Sequence, residues 1–381
     1  MKQLDKVSLL NRFAYLDNIR SLAIIHVIAI HAAVTYSGLG GWYYIEGSPL
    51  RLSLFEKIFF GFYQSFLQAW LMGALFFISA YLVTKSLVKH GSLNFIRERL
   101  FRLGMPLLIY VFIVSPFIEI VLLRGYTGNN FINKLKYYML NLKWIGATGP
   151  LWYVQTLLVF CVIYVIFRKI FTKNIVIKNI SQYNIIFVIL LTGIIAFFIR
   201  LIFPIGYSFY NLQFGYFSSY IVMFIAGIII GENDLLNNIT DEKNIKWLMI
   251  SLIIGIPFWA IIMIFGGALE GKMYINGGFY WQNMAFALWE SLTAIGFSTG
   301  IIALFKKKVN ILNKLTGLLR GNAFGLYFFH APILLIISLA LKGWVFYPVL
   351  KFFTVLIIAI IVNLIFSYLI RKIKPFGILF R

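Results

Sequence analysis

Acidic side chains are scarce in this chain. Twelve Asp and Glu stand against 34 Lys and Arg in 381 residues, a formal net charge of +22. Charge of either sign is sparse, at 12% of the sequence. There is one cysteine, Cys161. A disulfide framework and a thiolate metal cluster within the chain are therefore excluded. Cys161 lies inside an apolar run and reads as a small packed hydrophobe. The four histidines are too dispersed in sequence to suggest a metal cluster. No metal and no permanently bound cofactor is expected. The basic residues are spread over short segments rather than gathered on one soluble face, which argues against a nucleic-acid partner.

What is abundant is apolar surface. Hydrophobic residues make up 61% of the chain, and the mean hydropathy is +0.89. Both exceed what a soluble globular chain carries. Ten stretches are long enough to span a bilayer: 16–36, 58–84, 103–123, 151–171, 184–203, 215–231, 247–265, 281–305, 323–342 and 348–370. The expected fold class is all-α, a polytopic bundle of ten transmembrane helices forming one integral domain over residues 1–381. The stretch from 55 to 84 is longer than needed and holds Gln64 and Gln68. It suggests an interfacial turn followed by a shorter span. The first apolar run is long, polar on one face and followed by nine more, unlike a signal peptide. No repeat of 20–50 residues is visible. Nor are there the paired broken helices of inverted-repeat transporters.

Charge suggests the orientation. With the N-terminus inside, 24 of the 34 Lys and Arg fall on the inner side. The positive-inside rule then places both termini in the cytoplasm. The remaining excess suits adhesion to anionic lipid headgroups.

The first span, LDNIRSLAIIHVIAIHAAVTY, carries three polar residues on one stripe: Asp17, Arg20 and His31. Arg20 and His31 are eleven residues apart, within about 20° of whole turns and roughly 16 Å along the axis. Such groups are costly in lipid, so they point to a protein-lined or water-filled site. Asp17 pairs most simply with Arg20. Glu290 on the eighth span falls at a depth similar to His31, with Asn283 on its face and Thr293 nearby. A carboxylate level with an imidazole suggests an acid–base or base–orienter pair. The alternative is a buried pair that only holds helices together.

At the inner face, FIRERLFRLGMPLL presents Arg99 and Arg102 one helical turn apart, with Arg97 as a further base. Two guanidiniums so spaced suit a phosphate-bearing ligand, or merely anchor the span. GPLWYVQTLLVF launches the fourth span from a turn. Its Trp152 and Tyr153 fit an interfacial aromatic belt, and Gln155 is a candidate pocket-lining residue. FGLYFFHAPILL puts His330 in mid-membrane, two residues before Pro332, where it lines a cavity or bonds a neighbouring backbone. His26 is off the His31 stripe, and His90 reads as solvated.

Together these segments resemble the acyltransferase 3 family, membrane enzymes that O-acylate sugars and other hydroxylated envelope molecules. The likeness covers nearly the whole chain. YLDNIRSLAIIHVIAIHA is similar to the family's first helix, with Arg20 and His31 at its Arg-x10-His motif. RLFR supplies its Arg-x-x-Arg motif at Arg99 and Arg102. GPLWYVQTLLVF and FGLYFFHAPI resemble later blocks. Where the family usually has Leu-Arg-Gly, this chain has Ile19, Arg20 and Ser21. The nearest branch is that of glucan succinyltransferases and similar polysaccharide modifiers. The fused esterase-like domain of some members is not expected here.

The resemblance implies transfer of an acetyl or succinyl group from cytoplasmic acyl-CoA to a hydroxyl of a carbohydrate or lipid-linked glycan, in a bacterial plasma membrane. Arg99 and Arg102 would hold the CoA phosphates, with Arg20 at the mouth of a channel. His31 would act as general base or be transiently acylated, and Glu290 would orient or charge-balance it. Trp152, Tyr153, Gln155, Asn283 and His330 would line the pocket. A carrier or exporter of envelope glycans, with the same polar residues along its path, is the main alternative. A non-catalytic membrane scaffold is the third.

Overall fold

A computed structural model describes residues 13–126, 130–171, 176–374 and 376–380. The outermost residues at both ends, and with them the expected placement of the termini, lie outside the described residues. Among the described residues, ten helices are long and apolar enough to cross a membrane. They are α1 (Ala14–Ser37), α2 (Leu54–His90), α3 (Ser92–Leu122), α4 (Gly149–Ile170), α5 (Gln182–Ile202), α6 (Phe214–Glu232), α7 (Glu242–Phe265), α8 (Trp281–Lys308), α9 (Lys314–Ala340) and α10 (Pro348–Lys372). A short helix, Phe131–Leu140, lies between α3 and α4. No β-sheet forms among the described residues; Phe209 and Leu212 make one isolated bridge.

The expected interfacial turn near residue 55 does not form. α2 is one unbroken helix of 37 residues, started by a capping box between Ser53 and Glu56. The glutamines that suggested a break are satisfied by protein. Gln64 donates to Ser37 Oγ at 2.8 Å, and Gln68 to the Tyr220 hydroxyl at 2.8 Å. An amide with a partner imposes no need to leave the helix.

Polar content sorts the spans into centre and rim. The most apolar stretch of α8 has mean hydropathy 1.4 and is 78% buried, whereas those of α7 and α10 reach 2.6 and 2.7 and are 28% and 33% buried. Lipid accepts apolar faces but not unpaired polar groups, so the more polar helix sits inside. Asn283, Glu290, Thr293 and Ser298 of α8 are all buried. α2 is equally central and packs most extensively against α6. That approach needs a glycine: a Cβ on Gly227 would lie 2.4 Å from the Phe77 carbonyl oxygen. Small residues allow such close helix contact in membranes.

α3 is irregular. Leu100–Gly104, Tyr110–Val114 and Phe117–Leu122 are π-helical turns. Their wider i→i+5 ladder turns side chains away from positions that α-helical spacing would give.

Candidate active site

α1 and α9 pack side by side and bring two histidines together. His31 Nδ1 lies 3.1 Å from His330 Nε2. His330 Nδ1 is 2.6 Å from the Tyr327 carbonyl oxygen, one turn back on α9. That carbonyl can only accept, so His330 Nδ1 carries the proton and donates it. In the neutral ring, Nε2 is then an acceptor, and His31 must donate from Nδ1. This assignment leaves His31 Nε2 as the unprotonated nitrogen. The Tyr327 hydroxyl in turn donates to the Pro150 carbonyl, which ties α9 to the turn that opens α4. In that turn Gly149 has φ of +48°. The Tyr43 and Tyr110 hydroxyls crowd the space a Cβ would fill, so glycine is required.

The loop after α1 folds back over the imidazole. Trp42 stacks on His31 with centroids 3.7 Å apart and planes 17° apart. The loop is held at its far end, where the amides of Glu46 and Gly47 donate to the Thr35 carbonyl at 2.8 and 3.0 Å. The Lys351 ammonium of α10 engages the Glu46 carboxylate and the Trp344 carbonyl.

His31 faces a cavity of about 1420 Å³. Its mouth is formed by the loops at one end of the bundle, and its wall includes Trp42, Trp152, Tyr220, Glu119 and Glu290. This exceeds the roughly 300–1,000 Å³ of an ordinary small-molecule pocket.

Glu290 reaches this cavity, but its partner is not the imidazole. Its carboxylate accepts from Arg200 Nη2 of α5 at 2.5 Å. Both side chains are buried, at 3% and 0% exposure. Arg200 Nε also donates to the Gly215 carbonyl at 3.0 Å. The expected Glu290–His31 pairing is therefore replaced by Glu290–Arg200, and the orienting contact on His31 comes from His330. A permanently charged guanidinium offers a buried carboxylate more than a neutral ring does.

The remaining residues divide. Trp152 lines the cavity and stacks on Tyr220 at 5.5 Å. Tyr153, the next residue, faces the core instead. Its hydroxyl donates to the Leu75 carbonyl at 3.1 Å and bonds Ser79 at 2.8 Å. Gln155, Asn283 and His330 are not among the residues that line the cavity. Asn283 is wholly buried and donates to the Gly278 carbonyl at 2.9 Å. His26 bonds its own helix at the Leu22 carbonyl, 2.8 Å away. Cys161 is packed in the core.

The opposite end of the bundle is basic. Arg20 pairs with Asp17 at 3.3 Å, as expected, and Arg320 of α9 approaches the other Asp17 oxygen at 3.7 Å. Arg99 and Arg102 do not project together. The π turn at Leu100–Gly104 separates them. Arg99 leans inward over the Phe95 ring at 5.0 Å, with its Nε buried and unpartnered. Arg102 points outward and pairs with Glu98 at 3.1 Å.

Three residues escaped the sequence reading. Arg200 was countable only as one outer charge, although an arginine inside an apolar span asks for a buried anion. Glu119, a carboxylate in α3, carried the same signal. Trp42, in a loop, carried none.

The fold defines a multi-pass α-helical membrane protein, with an oriented imidazole at the wall of a large cavity. The chain belongs to the acyltransferase 3 family: the family's acyltransferase domain matches residues 13–372. It is a membrane acyltransferase. Comparisons with curated proteins and with solved structures find no match.

Proposed function

We propose that the protein moves an acetyl or succinyl group from acyl-CoA to a hydroxyl of a cell-envelope sugar. The basic end faces the cytoplasm and takes the donor, and the cavity takes the acceptor. The observation that carries this reading is His31 at the cavity wall, oriented by His330, whose own Nδ1–H is anchored on the Tyr327 carbonyl.

The step balances as follows. His31 Nε2 takes the proton of the acceptor hydroxyl, whose oxygen attacks the thioester carbonyl. The new C–O bond forms, the C–S bond breaks, and the proton returns from His31 to the CoA thiolate. The products are the ester and CoA thiol. His330 holds His31 in the tautomer that can accept this proton, the role of a base-orienting group. If His31 instead carries the acyl group, the same nitrogen is the nucleophile.

Purified protein in lipid nanodiscs should release CoA thiol from acetyl- or succinyl-CoA in the presence of envelope glycans. Mass spectrometry should find the added acyl group on the glycan. Identical glycan masses in cells with and without the protein would overturn the reading. Glycan movement across the membrane without CoA release would favour a carrier.

Donor binding should be asymmetric between the two arginines. Arg99 is half-buried with an unspent donor, and Arg102 is exposed and already paired. Arg99→Ala should raise the donor KM about 10–100-fold, the worth of a charge-assisted hydrogen bond. Arg102→Ala should change it about threefold or less, as an exposed charge does. Equal, negligible effects on donor KM in folded variants would return both residues to membrane anchoring.

A further inference from the structure

Among the described residues, Glu119 is the acidic residue of the cavity wall that pairs with no cation. Glu290 is neutralised by Arg200, and Glu270 at the rim pairs with Lys272 at 2.7 Å. Glu119 makes no hydrogen bond or ion pair through its carboxylate among the described residues. The cavity lysines, Lys57 and Lys143, form no pair with it. It stands in the π turn Phe117–Leu122, a helix irregularity common at functional sites.

Four tyrosines lie within electrostatic reach of this carboxylate, Tyr43, Tyr110, Tyr126 and Tyr138, and Tyr43 and Tyr126 line the same cavity. None donates to it. The Tyr138 hydroxyl donates to the Val111 carbonyl at 2.8 Å, and those of Tyr43 and Tyr110 bond each other at 3.2 Å. Tyr43 packs edge-on against Trp42 at 5.0 Å, and Trp42 lies on His31. Glu119, Trp42, Tyr43 and His31 all line the same cavity.

A half-buried carboxylate without a donor is unfavourable in the empty cavity and strongly accepting when a ligand supplies donors. Its two oxygens match two adjacent hydroxyls. The cavity-lining rings of Tyr43, Tyr126 and Trp42 offer apolar surface to the C–H side of a sugar. We propose that Glu119 is the acceptor-binding subsite. It accepts hydrogen bonds from two neighbouring hydroxyls of the sugar ring whose reacting hydroxyl meets His31. The proposal rests on the acyltransferase reading above. An amino sugar offers the same donor chemistry through an ammonium group, and the experiment separates the two.

The test uses the full chain in nanodiscs with saturating acetyl-CoA. The acceptor probes are methyl β-glucopyranoside, its 2-amino-2-deoxy counterpart, and cyclohexanol as a monohydroxyl control. Glu119→Gln keeps the shape and one acceptor oxygen but removes the charge. For methyl glucoside it should raise the acceptor KM about 10-fold or more, with kcat within about twofold and the donor KM unchanged. Cyclohexanol should be indifferent to the substitution. A larger effect on the amino sugar that fades with added salt would assign the subsite to an ammonium. An unchanged acceptor KM, or a joint loss of kcat and donor affinity, would overturn the proposal. Sugar binding read by tryptophan fluorescence separates this from the parent reading. If no CoA is released at all, the acyl-CoA assignment falls. The subsite then stands only if methyl glucoside binds the wild type and binds Glu119→Gln more weakly. Absence of saturable binding by either sugar would overturn it.

Discussion

His31→Ala should abolish acyl transfer while the protein still assembles in the membrane. His31 is the histidine that both faces the cavity and leaves an accepting nitrogen. Its replacement by alanine opens space at the cavity wall and breaks no ion pair. Loss of a general base costs about 10²–10⁴-fold in rate, and loss of a covalent relay more. His330→Leu should act through His31. It removes the His330 acceptor and leaves the ring to its own helix at Val27, so kcat should fall about 10²-fold with the acceptor KM nearly unchanged. His330→Gln retains an accepting oxygen and should recover part of that loss. A merely structural His330 would show no such rescue. His26→Ala is the internal control, because His26 bonds only its own helix at Leu22 and meets the Trp70 edge. Normal turnover by purified His31→Ala would remove the imidazole from the mechanism.

Arg200→Met should be the most destabilising single change. Its guanidinium joins α5 to Glu290 of α8 and to the turn at Gly215. Removing it leaves the Glu290 carboxylate buried at 3% exposure with no cation. Breaking a buried pair in this way costs about 3–5 kcal/mol. Glu290→Gln should cost less, since the amide oxygen still accepts from Arg200. The double variant Arg200→Met/Glu290→Met should recover much of the stability, because no charge is then left unpaired. Thermal unfolding in detergent, run as a double-mutant cycle, measures the coupling. If the double variant regains stability and activity together, the pair is structural. If it regains stability but stays inactive, Glu290 or Arg200 also contacts substrate. Strict additivity would mean that the pair is not coupled.

Much of the architecture was legible because membrane physics leaves few options. Lipid satisfies no backbone polar group, so an apolar run of spanning length must be a helix. Each of the ten stretches corresponds to one of α1–α10. The break expected in α2 failed because Gln64 and Gln68 looked unpaired in sequence, while their partners, Ser37 and Tyr220, lie on α1 and α6. The Arg99–Arg102 alignment failed for a local reason. Three-residue spacing assumes an α-helical ladder, and α3 is π-helical there. Asp17–Arg20 was read correctly because both residues sit on one regular helix, where spacing decides contact.

The site was legible only in its parts. His31 stood out because an imidazole inside a span needs a reason. Which group orients it could not be settled from depth alone. Glu290 and His330 both lie in spans, and helix rotation and neighbour choice decide which one meets the ring. Composition and hydropathy by themselves determined a ten-span helical bundle, its basic end, and the polar residues that must avoid lipid. Tertiary structure alone decided that His330, 299 residues from His31, takes the orienting place, that Arg200 claims Glu290, and that a loop lays Trp42 over the imidazole. The physical reason is that hydropathy acts on each segment independently. A hydrogen bond between helices instead depends on how two cylinders rotate and pack, which no single segment encodes.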